Sequence, residues 1–180
     1  MIAALARDGA ILRAYDFVPD QIQPASLDLR LGEVAYRVRA SFLPGPDTTV
    51  AERIDELKLH EIALGDGAVL ETGCVYIVAL IESLALPEDI AAAANPKSST
   101  GRLDVFTRVI ADETRGFDHV SAGYHGPLMP RSARARFRCW CARARACRKS
   151  ASAAAMRCSM PKRYARCMRV SVWSTTMRPT

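Results

Sequence analysis

The stretch Ser26-Leu27-Asp28-Leu29-Arg30-Leu31-Gly32 alternates polar and apolar side chains and ends on glycine. That is the pattern of a half-buried β-strand, not of a helix. Val34-Ala35-Tyr36-Arg37-Val38-Arg39 repeats the alternation directly afterwards. Residues 57–64 and the run Cys74-Val75-Tyr76-Ile77-Val78-Ala79-Leu80 read as further strands, the second buried on both faces. Turn formers separate these runs at short intervals: Pro44-Gly45-Pro46, Gly65-Asp66-Gly67, Thr72-Gly73, Pro87 and Asn95-Pro96. Many short strands with frequent turns predict an all-β sandwich or barrel. Helical signal is thin. Arg7 to Arg13 predicts one short helix with Leu5, Ile11 and Leu12 inward, and Ala91–Ala94 fits strand and helix equally.

At 180 residues the chain is long enough for one domain with a hydrophobic core. No apolar run reaches the 18 or so residues of a membrane-crossing helix. The start, Met1-Ile2-Ala3-Ala4-Leu5-Ala6-Arg7-Asp8, lacks the basic and apolar regions of a signal peptide. A cytoplasmic protein with no membrane partner is expected. The net charge of +6 divides unevenly along the chain: residues 1–128 hold all 19 acidic residues and 11 of the 25 basic ones. Residues 129–180 hold the other 14 basic residues, no acid and five of the six cysteines. The front portion is therefore acidic, which argues against nucleic acid as its partner.

Two segments carry possible chemistry. Asn95-Pro96-Lys97-Ser98-Ser99-Thr100-Gly101-Arg102 gathers two cations, three hydroxyls and a glycine. Backbone N–H groups beside glycine, with hydroxyls and cations, suit phosphate oxygens; the same residues also suit a helix N-cap with solvated charges. Gly116-Phe117-Asp118-His119-Val120-Ser121-Ala122-Gly123-Tyr124-His125-Gly126 reads as a glycine-rich hairpin with one carboxylate. Asp118 suits a sugar hydroxyl, and it equally suits a local turn cap.

Taken together, these pieces resemble the dCTP deaminases of the dUTPase-like superfamily. Gln21-Ile22-Gln23-Pro24-Ala25-Ser26-Leu27-Asp28-Leu29-Arg30-Leu31-Gly32 is similar to the family's opening strand motif. Lys97-Ser98-Ser99-Thr100-Gly101-Arg102 is similar to its basic-Ser-Ser-x-x-Arg loop. Gly116-Phe117-Asp118, followed by Gly123-Tyr124-His125-Gly126-Pro127-Leu128, is similar to the hairpin that closes over the deoxyribose. Three motifs in order across about 128 residues are more specific than any one alone.

The resemblance implies a β-clip, a distorted β-sandwich or jelly roll, incomplete at its C-terminal end. It implies a homotrimer with active sites between subunits, and hydrolysis of dCTP to dUTP and ammonia in pyrimidine nucleotide metabolism. Mg²⁺ would accompany the triphosphate, with no catalytic metal. The His-x-Glu and Pro-Cys-x-x-Cys signatures of the zinc deaminases do not occur in this sequence. A metal-free site needs a protein base to activate water and donors to stabilise the tetrahedral centre. By the resemblance, Ser98 and Arg102 orient the water and polarise the base, while Lys97 and Ser99 hold the triphosphate. Asp118 holds the sugar 3′-hydroxyl. The family's general base is a glutamate three positions beyond the equivalent of Leu128, where this chain has Arg131.

From Met129 the resemblance stops together with the acidic residues. Arg, Ala, Ser and Cys dominate residues 129–180, as they do when GC-rich coding DNA is read out of frame. Restoring one T before the Met129 codon lets Met129 to Phe137 become Y-A-E-I-S-P-R-T-F, which puts the glutamate back at position 131. The expected division is therefore a dCTP deaminase-like domain over 1–128 and an out-of-frame, disordered basic tail over 129–180. A native, basic nucleic-acid-binding extension is the alternative for the tail. For function, the leading expectation is a dCTP deaminase whose activity in this chain is impaired. The alternatives are a dUTP diphosphatase or bifunctional enzyme, and a nucleotide-binding relic without turnover.

Overall fold

The computed structural model describes residues 2–65, 67–97, 105–134, 139–141 and 168–174. The chain opens with helix α1 (Ile2–Arg7) and strands β1 (Ile11–Arg13), β2 (Leu27–Leu29) and β3 (Leu31–Val38). Helix α2 (Val50–Leu57) comes next, then β4 (Lys58–Ala63), β5 (Ala68–Leu70), β6 (Val75–Leu80), β7 (Glu82–Ala85) and β8 (Ile90–Pro96). The remaining strands are β9 (Val105–Ile110), β10 (His119–Val120), β11 (His125–Pro127), β12 (Met129–Arg134), β13 (Cys139–Cys141) and β14 (Met168–Ser174). Strands dominate, as the alternation and turn signals predict.

Among the described residues the strands form four sheets. A five-stranded sheet runs β4-β3-β6-β12-β9, a four-stranded sheet β10-β8-β14-β2 and a three-stranded sheet β1-β7-β11. A two-stranded β13-β5 pair completes the set. One core packs Ile2 and Leu5 of α1 against Leu27, Leu29, Leu84, Leu86, Val109 and Leu128. Another lies where α2 sets Val50 and Ile54 on Val38, Ile77 and Ile110.

The stretch that reads as one strand is divided between two sheets. β2 belongs to the four-stranded sheet and β3 to the five-stranded one, with Arg30 as the joint. The Arg30 N–H leaves the ladder and donates to Glu82 Oε2 at 2.8 Å, while its carbonyl accepts from Ile81 N at 3.0 Å. Both faces of β2 are buried, Asp28 included, so the expected half-buried pattern does not hold there. Just beyond the joint, Gly32 lets two strands approach closely, since a Cβ there would stand 2.7 Å from Ala79 O.

Three further expectations are corrected. The first helix lies earlier than its spacing suggests, because Gly9 at φ +80° turns the chain out of the helix. Ala10 N closes that end on Leu5 O at 2.9 Å, and Ile11–Arg13 becomes a strand paired with β7. Leu57, placed in a strand by its apolar spacing, ends α2 instead. A capping box starts that helix: the Thr49 side chain accepts from Glu52 N, and Glu52 accepts from Thr49 N. The segment 116–126 is not a hairpin in its pairing. β10 pairs with β8 and β11 with β7, so the segment crosses from one sheet to another. Ala91–Ala94, left open by sequence, lies within β8.

Beyond Leu128 the described residues lie in strands. β12 pairs with both β6 and β9, β13 pairs with β5, and β14 lies between β2 and β8. Ladder hydrogen bonds use backbone groups that almost every residue supplies. A segment without acidic residues can therefore still complete a sheet whose neighbouring strands have edges to offer.

Candidate active site

The candidate site is built where β8, β9 and the segment before β10 meet. Asp118 ties the three together with its backbone. Its N–H donates to Val109 O at 2.8 Å, and its carbonyl accepts from Ala94 N at 2.9 Å. This requires φ +62°, in the left-handed region that Asp tolerates better than most residues. The side chain is equally fixed: Oδ1 accepts from Val109 N at 2.8 Å and Oδ2 from Arg108 Nη1 at 2.5 Å. Each carboxylate oxygen has room for two bonds, so an acceptor site remains for a hydroxyl. Among the described residues the carboxylate thus bonds across to β9 and not to the backbone of its own turn, and it keeps an acceptor site.

Lys97 follows the last residue of β8. Its ammonium is paired with Asp28 Oδ2 on β2, and the two side chains are 19% and 1% exposed. Lys97 is therefore not a free surface cation. Its remaining donors are what it has for a phosphate. Asp28 was not a candidate on sequence grounds, because a charge at an alternate strand position reads as solvent-facing.

Behind this pair lies a second buried charge cluster. Arg30 Nε donates to Glu82 Oε1 at 2.6 Å, and Gln21 Nε2 donates to the same oxygen at 2.7 Å. Gln21 Nε2 also donates to Asp28 O at 2.9 Å, which joins the cluster to the strand carrying the Lys97 partner. Arg30 further bonds Tyr15 O and Asp16 O, each at 2.9 Å, clamping the loop ahead of β2.

Beyond Asp118, Tyr124 fixes the segment between β10 and β11. Its Oη donates to Pro127 O at 2.6 Å and accepts from Asp112 N at 3.2 Å. Burial pushes its pKa up to about 12, with Asp112 and Glu113 adding to the rise. Gly126 is held to glycine by this ring, since a Cβ there would fall 2.6 Å from Tyr124 Oη.

Arg131 lies on β12 between Ile77 of β6 and Arg108 of β9. Its guanidinium carbon is 5.7 Å from the centre of the Phe117 ring. Burial, and then the charge of Arg108, lower its pKa from the usual value. Ser98, Ser99 and Arg102, the remaining sequence candidates, lie outside the described residues. The structure thus brings Asp118, Arg108 and Arg131 together and places Lys97 on Asp28. Among the described residues, no three His, Cys, Asp or Glu side chains are grouped to hold a metal ion. No helix among them is long and apolar enough to cross a membrane.

An all-β clip in which Asp118 is fixed between strands of two sheets defines a dUTPase-like protein. The comparisons narrow the class. The model of the 2′-deoxycytidine 5′-triphosphate deaminase N-terminal domain matches residues 1–144, past the limit at Leu128 suggested by the sequence motifs. The chain belongs to the dCTP deaminase family. It is similar to the dCTP deaminase of Halorubrum lacusprofundi, 30% identical over 125 residues, which is 69% of this chain and 59% of that protein. The Corynebacterium kroppenstedtii dCTP deaminase, dUMP-forming, is 32% identical over 121 residues, covering 67% of this chain and 61% of that protein. The crystal structure of 2′-deoxycytidine 5′-triphosphate deaminase from Agrobacterium tumefaciens superposes with a TM-score of 0.81 and 47% identity. That match covers 95% of this chain and 46% of the other. The chain therefore spans about three fifths of those curated relatives and under half of the solved one.

Proposed function

We propose that this chain binds dCTP as the N-terminal part of a deaminase that converts it hydrolytically to dUTP and ammonia. The observation that carries the reading is Asp118, locked between β8 and β9 with acceptor capacity to spare, in a chain of this family. Asp118 takes the sugar 3′-hydroxyl. Lys97 and Ser99 take the triphosphate, which arrives as its Mg²⁺ complex. Ser98 and Arg102 orient the attacking water and polarise the cytosine. Intact members of the family work as homotrimers in the cytoplasm, with each site shared between subunits.

Deamination by this chain is severely reduced, because Arg131 occupies the position the resemblance gives to the general base. Loss of such a base typically costs about 10²–10⁴-fold in rate. Two observations support an altered reading frame from Met129: the switch to an acid-free sequence, and an Arg131 side chain set beside another arginine. The nucleotide sequence around codon 129 tests this directly. A long open frame after insertion of one base supports it, and no such frame refutes it.

A second reading is favoured by relatives named as dUMP-forming dCTP deaminases. In it the site also cleaves the triphosphate. Incubation with dCTP and with dUTP, followed by assays for ammonia and pyrophosphate, separates the readings. Ammonia alone supports deamination, both products support the bifunctional reading, and pyrophosphate alone overturns the first choice. Tight dCTP binding with no product from either substrate identifies a nucleotide-binding relic.

A further inference from the structure

On the face of the five-stranded sheet that α2 covers, the register sets Arg108 of β9 directly opposite Arg131 of β12. Side chains opposed in this way share a face and stand about 5 Å apart at Cβ, and like charges there repel. The carboxylate held by Arg108 makes no ion pair with Arg131 among the described residues. Asp118 accepts from Arg108 through one oxygen and from Val109 N through the other. Arg131 Nε is shut off from solvent and has no acceptor among the described residues. The Phe117 ring gives the guanidinium an apolar neighbour and no counter-charge. β12 is hydrogen-bonded on both sides, so Arg131 cannot escape by a slip of the strand. A guanidinium stays protonated in proteins, and a buried donor without an acceptor is costly.

We propose that Arg108 and Arg131 form a binding site for a phosphate-type oxyanion between β9 and β12. The three charged groups there, two guanidiniums and Asp118, sum to one positive charge. The planar fork of arginine presents paired N–H donors that match two oxygens of a phosphate. Guanidiniums on adjacent strands at this spacing can hold a tetrahedral anion between them. The anion comes either from free phosphate or from the phosphate of a nucleotide seated at Asp118. The site rests on Arg108, Arg131, Asp118 and Phe117 alone, and it holds whether or not the proposed deamination does.

The test is thermal melting of the full chain at constant ionic strength, with inorganic phosphate exchanged for chloride, in the wild type and in Arg131→Gln. The variant loses an uncompensated charge, so it is expected to fold at least as well. Phosphate should raise the melting temperature of the wild type, and its apparent affinity should fall roughly tenfold or more in Arg131→Gln. No phosphate effect on the wild type, or an equal effect on both proteins, overturns the proposal. Parallel melts with dCTP and deoxycytidine identify the source. A dCTP shift that Arg131→Gln loses places a nucleotide phosphate in the site. A dCTP shift that survives while the phosphate shift is lost assigns the site to free phosphate. Deoxycytidine stabilising both proteins equally reports on the nucleoside reading, independently of the anion site.

Discussion

Arg30 and Glu82 meet at 2.6 Å with side chains only 4% and 0% exposed, at the point where the chain passes from one sheet to another. Glu82 accepts from Arg30 Nε, the Arg30 backbone N–H and Gln21 Nε2, so both its oxygens are committed. Glu82→Gln would leave the Arg30 charge buried without its counter-charge, a loss of about 3–5 kcal/mol. A melting temperature lower by roughly 10 °C is expected for a chain of this size. Replacing both residues with methionine should cost less than the sum of the two single losses, because the uncompensated charge goes as well. A Glu82→Gln protein that melts with the wild type would remove the cluster from the account of the fold.

The Asp28–Lys97 pair predicts a coupling that a double-mutant cycle measures. Asp28 is almost fully buried and Lys97 is largely covered, so solvent screens the pair less than a surface pair. Asp28→Ala and Lys97→Ala should each destabilise, with a coupling of about 1–3 kcal/mol between them in urea unfolding. If the two losses add, Lys97 is held by something other than Asp28.

How much of this was legible beforehand differs from element to element. The alternation of Ser26 to Gly32 gave away β-structure, because period-two patterning survives wherever the chain is extended. It hid the joint at Arg30, because a charge at an alternate position reads as facing water. The Glu82 that buries Arg30 lies 52 residues away in sequence. α2 was announced by Thr49-Val50-Ala51-Glu52, a capping box that the apolar spacing of the following strand obscured. Asp118 was singled out by the motif around it. Arg108 was not, since a lone cation in an extended segment has no pattern of its own until the register sets Arg131 across from it.

Tyr124 supplies a prediction at alkaline pH. Its pKa is raised to about 12 in the folded chain, against about 10 for an ordinary tyrosine, because burial favours the neutral phenol. Between those values the folded state holds a proton that the unfolded state has lost. The tyrosine's contribution to stability is therefore complete below about pH 10 and declines as pH rises toward 12. Tyr124→Phe should be less stable than wild type at neutral pH, having lost its bonds to Pro127 O and Asp112 N. The difference should shrink between about pH 10 and 12, as denaturant melts at fixed pH would show. A gap that stays constant across that range would contradict the burial of the phenol.

Gly126→Ala tests the same ring sterically. The added methyl group would meet Tyr124 Oη at 2.6 Å and Cζ at 2.9 Å, inside contact distance. The ring must move, and its two hydrogen bonds move with it. A loss of about 1–3 kcal/mol is expected, within the range for overpacking. In the Tyr124→Phe background the penalty should be smaller, because the nearest clashing atom is absent. Equal penalties in both backgrounds would place the strain in the backbone instead.

Arg131→Glu brings the charge argument to a single substitution. The register fixes position 131 opposite Arg108, so the change turns a repelling cross-strand pair into an attracting one. It also removes a guanidinium whose Nε has no acceptor among the described residues. Most substitutions at a half-buried position destabilise; this one should stabilise, by roughly 1 kcal/mol or a few degrees in melting temperature. The gain should vanish in the Arg108→Ala background, where the new carboxylate has lost its partner. Phosphate should no longer stabilise the variant, because the carboxylate occupies the anion site and repels the ligand. On the deaminase reading, the same carboxylate stands at the position of the general base, so ammonia release from dCTP should rise above that of the parent chain. Stabilisation without ammonia release would keep the ion-pair argument and defeat the catalytic one. A protein less stable than its parent, with or without Arg108, would defeat the charge argument itself.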